Sequence, residues 1–148
     1  LDDPITGNSI INTELNNRNF IIGEKNVVID WEKPIIGDPE QDLAHFLVPT
    51  TTNWKTDKIL SADEREYFLS EYKKYHSVDP NKLGKYLVFN CLRGITWCSM
   101  AKVEYSEEEK SIANEDTRKK IDHFLSPEFL NFIEENYYEE YYGNIEKE

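Results

Sequence analysis

Glu14 stands five positions before Asn19, and Asp30 follows after two short β-prone runs. An acid, a carboxamide and a second acid in that order suit phosphoryl transfer. The first acid orients an acceptor hydroxyl and receives its proton, while the carboxamide and the second carboxylate offer hard oxygens to a divalent cation that bridges phosphates. Glu14 is therefore the expected catalytic residue, Asn19 and Asp30 the expected metal ligands, and ATP and Mg²⁺ the expected cofactors. Two protein ligands make only part of a magnesium shell, which waters and phosphate oxygens complete.

Holding these groups together takes a loop followed by a strand pair. Residues Glu14 to Asn19 read as the loop, Phe20 to Ile22 as an outgoing strand, Gly23 to Asn26 as the turn, and Val27 to Ile29 as the returning strand that ends at Asp30. Asn19 and Asp30 then meet at one edge of a small antiparallel hairpin.

Three linked motifs lie along this stretch: Asn12-Thr13-Glu14-Leu15-Asn16-Asn17-Arg18-Asn19, then Val28-Ile29-Asp30-Trp31-Glu32, then Gly37-Asp38-Pro39-Glu40-Gln41-Asp42-Leu43-Ala44. Together they resemble the carboxy-terminal lobe of the aminoglycoside phosphotransferase and choline kinase family, a kinase-like group that acts on small molecules. The family pattern is His-x-Asp-x-x-x-x-Asn, then Ile-Asp-Trp or Ile-Asp-Phe, then Gly-Asp-Pro-x-x-Asp-Leu-Ala. The resemblance spans Ile10 to Leu47, with Asn12 at the family's histidine position and Glu14 at its catalytic aspartate. It implies that Asn12 and Asp42 support the catalytic loop and that the γ-phosphoryl of ATP passes to a hydroxyl of an aminoglycoside, amino alcohol or sugar. The other class it leaves open is a non-catalytic relative that binds or regulates. It also implies an amino-terminal lobe missing from this chain, since no glycine cluster and no strand-borne lysine precede Asn12, so that this piece alone is expected to be inactive.

Composition sets outer limits. The chain has 148 residues, 39% hydrophobic and 13% aromatic, enough for one domain with a core. Its net charge of −12, without a lysine and arginine patch, argues against nucleic acid and is compatible with a cationic acceptor. Neither a membrane-spanning run nor a leader is evident, and a cytoplasmic location is expected. Cys91 and Cys98 share a helix face about 10.5 Å apart along the axis, beyond the roughly 7 Å that a disulfide tolerates between α carbons. Both are expected to be buried, reduced thiols.

The remaining chain reads as helices, giving a mainly α fold with a small antiparallel β hairpin, in the manner of a protein-kinase-like carboxy-terminal lobe. One domain is expected over 1–148, with the catalytic loop and hairpin in 1–36, a helical bundle in 38–142 and a frayed tail in 143–148. Asp38, Pro39 and Gln41 form an N-cap, a first-turn proline and a capping-box partner. Pro49 to Lys58 reads as an irregular connector, with Trp54 a candidate acceptor contact. Ser61 and Glu64 cap a helix whose inward stripe is Tyr67, Phe68, Tyr72 and Tyr75. Asp79-Pro80 opens a long helix to Tyr105 on which Arg93 needs a salt-bridge partner if buried and Trp97 offers a cation-π face. Helices from Asn114 and from Ser126 follow, the last reaching Tyr141.

Overall fold

Isoleucines open the architecture. In a computed structural model, which describes residues 6–105 and 114–138, β1 (Ser9–Ile11) pairs antiparallel with β4 (Ile35–Gly37), Ile10 facing Ile36. Between them β2 (Phe20–Ile21) pairs with β3 (Val27–Val28), Phe20 facing Val28, which is the hairpin expected from the turn residues. The described chain is otherwise mostly helical.

Six α-helices follow: α1 (Pro39–Leu47), α2 (Pro49–Lys55), α3 (Ala62–Lys73), α4 (Pro80–Glu104), α5 (Glu115–Phe124) and α6 (Pro127–Ile133), the last continuing as a π-helical turn over Glu134–Tyr138. Their starts are written in side chains. Ser61 and Glu64 form a reciprocal capping box on α3, Asp79 Oδ1 accepts from the N–H groups of Asn81 and Lys82 at the head of α4, and Asn114 and Ser126 cap α5 and α6.

Two readings of the helices need correction. Pro49 to Lys55 is a helix and not an irregular connector, because a proline that stops one helix can occupy the first turn of the next, and the hydroxyls of Thr52 and Thr56 bond back to carbonyls four residues earlier. Asp38 precedes α1 as expected, but its side chain caps nothing: it turns to Gly7, Lys82 and Tyr86.

The chain falls into two compact units, Leu1–Leu87 and Val88–Glu148, the division lying within α4. In the first, Leu43 and Ala44 of α1 and Leu83 of α4 are buried, with Phe68, Leu69, Tyr72 and Tyr86 packed on them. Phe46 stacks on Phe68 at 4.9 Å and meets Phe20 edge-on at 5.5 Å, which ties the hairpin to α1 and α3. Tyr67 and Tyr75, read as inward, are 68% and 80% exposed, so only Phe68 and Tyr72 of that stripe reach the core.

In the second unit Phe124 and Phe129 stack at 4.6 Å among buried Ile121, Ile133 and Tyr137. Cys91 and Cys98 are buried and unbridged as expected, and burial pushes the Cys98 thiol up to about 11. Arg93 is exposed, so it lacks the burial that would demand a partner. Among the described residues no helix is long and apolar enough to cross a membrane. Residues 106–113, Tyr141 and the tail from Gly143 lie outside the described residues.

Candidate functional site

The segment from Asn12 to Lys33 is a loop, a hairpin and a second loop, leaving β1 and returning to β4. Its two loops are held by carboxylate and carboxamide groups. Asp42, on the first turn of α1, accepts from the backbone N–H of Asn12 at 2.5 Å and of Thr13 at 2.8 Å. Burial pushes the Asp42 carboxyl above its ordinary range, and the two N–H groups offset only part of that effect. Asp42 is thus half-buried and committed to the loop.

Asn12 is buried and spans both loops. Its Nδ2 donates to the Asp30 carbonyl at 2.7 Å, while its Oδ1 accepts from Glu14 N at 3.2 Å. The cost of this wiring appears in the backbone, where Thr13 has φ 74° and Asp30 has φ 68°. Left-handed backbone is tolerated by aspartate and strained for a β-branched threonine. Asp42 and Asn12 hold both residues there.

Asn19 closes a 3₁₀ turn, Asn17–Asn19, and is 4% exposed. Its Oδ1 accepts from Asn16 N at 2.7 Å, which fixes the orientation of the amide because a backbone N–H can only meet the oxygen. The Nδ2 then faces Asp30 Oδ2 at 3.3 Å, and the Asn19 carbonyl accepts from Ile29 N at 2.9 Å. Asn19 and Asp30 therefore come together as expected. With Asn16, Arg18 and Ile29 they line a hollow of about 370 Å³.

Asn19 turns its Nδ2 donor, not its oxygen, toward Asp30, so the oxygens a magnesium shell would use are Asn19 Oδ1, which already accepts from Asn16 N, and the remaining sites on the Asp30 carboxylate. Asn19 Oδ1 has a second lone pair beyond the one facing Asn16, and the Asp30 carboxylate has acceptor capacity beyond its contact with Asn19. Among the described residues no three His, Cys, Asp or Glu side chains converge as ligands.

Glu14 lies on the loop between Asn12 and Asn16. Asn16 Nδ2 donates to the Glu14 carbonyl at 3.1 Å, and the Glu14 carboxylate meets the Lys33 ammonium at 3.8 Å. Lys33 also pairs with Glu32 at 3.2 Å, and its carbonyl accepts from Thr13 Oγ1 at 3.3 Å. Neither Lys33 nor Thr13 stands out in the sequence. A lysine nineteen positions from Glu14 gives no local signal, and the two loops meet through the pairing of β1 with β4, the hairpin and the Asn12 side chain together.

The two aromatic candidates fare differently. Trp54, on α2, is half-buried in the first unit and is not among the residues lining the hollow. Trp97 belongs to the second unit and is 43% exposed. Asp38 marks a separate polar hollow of about 360 Å³, lined also by Glu40, Asp79 and Lys82. Comparison with family models, with curated proteins and with solved structures finds no match to this chain.

Proposed function

We propose that this chain is the carboxy-terminal, protein-kinase-like lobe of an ATP-dependent phosphotransferase acting on a hydroxyl of a small molecule. The observation that supports it is the Asn19 carboxamide 3.3 Å from the Asp30 carboxylate, both on an open hollow, with Glu14 on the adjoining loop. The motif resemblance over Ile10 to Leu47 supports the same reading. Mg²⁺, when bound, would neutralise charge on the phosphates. Asn19 and Asp30 would hold it, and Asp42 and Asn12 keep their loops in register.

In the reaction the acceptor oxygen forms a bond to the γ-phosphorus as the bond from that phosphorus to the bridging oxygen of ATP breaks. The leaving electron pair stays on ADP. Glu14 orients the acceptor hydroxyl and takes its proton. Glutamate places its carboxylate one methylene further from the backbone than aspartate, which the loop must accommodate, since a displacement of about 1 Å can cost roughly a hundredfold in rate. An amino-terminal lobe would contribute the remaining nucleotide contacts. The acidic balance suits an amino alcohol or amino sugar as acceptor, and the reduced thiols Cys91 and Cys98 suit the cytoplasm.

A non-catalytic relative is the second reading, and the Asn19 amide favours it, because its Oδ1 already accepts from Asn16 N and the group it turns to Asp30 is a donor and not a metal-binding oxygen. Magnesium-dependent ATP consumption by the full-length gene product, screened with amino alcohols, amino sugars and sugars, separates the two. Turnover that is abolished by Asp30→Ala supports the transferase. Absence of turnover with every acceptor, together with nucleotide binding unchanged in Asp30→Ala, overturns it.

A further inference from the structure

The backbone of Glu14 is fixed on both sides, by Asn12 Oδ1 on its N–H and by Asn16 Nδ2 on its carbonyl. Its side chain is another matter. It is long, more than half exposed, and its recorded charged contact is with Lys33. A glutamate has one more rotatable bond than an aspartate, so a fixed backbone does not aim its carboxylate.

Lys33 is well placed to do so. Its carbonyl accepts from Thr13 Oγ1 at 3.3 Å, which fixes its own backbone against the loop it serves. Its ammonium sits 3.8 Å from Glu14 and 3.2 Å from Glu32. Residues 12, 13 and 14 thus each send one link to the segment 30–33, through Asn12 to the Asp30 carbonyl, Thr13 to the Lys33 carbonyl and Glu14 to the Lys33 ammonium. The Lys33 ammonium is held above its ordinary value by its hydrogen bond to Glu32, by the charges of Glu14 and Glu32 against some desolvation, and finally by Asp30.

Resting on the phosphotransferase reading, we propose that Lys33 is the positioning residue for Glu14, restraining a carboxylate that the fixed loop backbone alone does not aim. The contact is single and not bidentate, so arginine can replace lysine here, which would not hold at a forked site. An exposed ion pair contributes little to stability. A loss of turnover without a loss of melting temperature therefore isolates the positioning role from a structural one.

The test uses the full-length protein carrying Lys33→Met or Lys33→Arg, each with Glu14 intact and with Glu14→Gln. ATP consumption with Mg²⁺ is followed with ethanolamine, with glucosamine and with water alone as acceptor. Lys33→Met should lower kcat roughly tenfold while KM for ATP and the melting temperature stay near the parent's. Lys33→Arg should restore most of the rate. In the Glu14→Gln background Lys33→Met should cost nothing further, since there is no carboxylate left to aim.

An equal loss in both backgrounds, a rise in KM for ATP in place of a fall in kcat, or no loss at all while Asp30→Ala abolishes turnover overturns the role of Lys33 and leaves the transferase standing. Absence of ATP consumption by the parent with every acceptor, together with nucleotide binding unchanged in Asp30→Ala, overturns the transferase reading, and the role of Lys33 falls with it.

Discussion

The Lys82 ammonium lies 2.7 Å from Asp38 Oδ1, and the pair is shielded from water on both sides, the Asp38 side chain being 5% exposed and that of Lys82 17%. Lys82 also donates to Thr6 Oγ1 at 2.6 Å, Gly7 N donates to the same Asp38 oxygen at 2.7 Å, and Tyr86 OH donates to the other at 3.2 Å. One carboxylate thus joins the segment before β1, the entry to α1 and the first two turns of α4. Removing one partner strands a charge, so Lys82→Met should cost about 3 kcal/mol in denaturant unfolding. The double variant Asp38→Asn with Lys82→Met should cost less than the two single losses added together. Gly7→Ala belongs to the same test, because a Cβ there would meet Asp38 Cα at 2.6 Å and Asp38 Oδ1 at 2.7 Å. Equal melting of parent and Lys82→Met would show that the network is dispensable.

Two aspartates four residues apart should respond to acid with opposite signs. For Asp38 burial raises the carboxyl, but Lys82, the Gly7 N–H and Tyr86 together outweigh it and the net shift is downward from 3.8. Its contribution is therefore complete above the unfolded value and is lost as pH falls through the lower folded value. For Asp42 burial prevails over the two N–H groups and the shift is upward from 3.8. The folded state then takes up a proton more readily than the unfolded one, so this contribution is present below the unfolded value and is lost as pH rises through the folded one. Urea midpoints measured across the acid range should show the advantage of the parent over Asp38→Asn growing with pH, and its advantage over Asp42→Asn shrinking. Parallel curves would refute the assignment.

Thr13 holds a φ of 74° against the preference of a β-branched residue. Glycine adopts that backbone without strain, and the threonine hydroxyl contributes one long contact to the Lys33 carbonyl. Thr13→Gly should raise stability by about 1 kcal/mol. Thr13→Val, which keeps the branching and loses the hydroxyl, should lower it. Thermal melting of the two variants beside the parent decides, and a destabilised glycine variant would mean that the loop is not strained.

Asn19→Asp keeps an oxygen for Asn16 N but turns a second carboxylate oxygen toward Asp30, where the parent has an amide N–H₂. Two like charges at that distance repel unless a cation lies between them. Magnesium should therefore stabilise the variant more than the parent, the variant itself gaining about 1.4 kcal/mol when the metal is at ten times its Kd. A calorimetric titration with Mg²⁺ and no nucleotide reads this without any turnover. Identical magnesium responses in the two proteins would place the cation elsewhere.

Local chemistry made the hairpin and the helix starts legible. Gly23 to Asn26 between two β-branched runs, and serine or asparagine ahead of α3, α5 and α6, act within a few residues of where they stand. Asn19 meeting Asp30 follows from the hairpin itself, and Asp42 meeting the loop follows from the motif resemblance. What depends on distant chain was not legible. The ladder of β1 with β4 spans twenty-odd residues, and neither strand is long enough to announce itself. Lys33 meets Glu14 across two loops that the ladder, the hairpin and Asn12 together hold side by side. Asp38 reads locally as a helix cap, and Lys82 with Gly7 overrides that use from elsewhere in the sequence. Tyr67 and Tyr75 failed for a different reason: aromatic rings at helical spacing say that a stripe exists, but not which side of α3 the neighbouring helices cover.

The ladder of Ser9–Ile11 with Ile35–Gly37 acts as a drawstring on everything between. Both mouths of the excursion are pinned at the knot, and its far end is a turn closed on itself, Gly23 N donating to Asn26 Oδ1 at 3.2 Å, where a methyl group added to Gly23 would meet open space. Lengthening such a tip is inexpensive, about 0.6 kcal/mol for each doubling of the closed length. The reach of that finger is therefore only loosely tied to the carboxylates at its root.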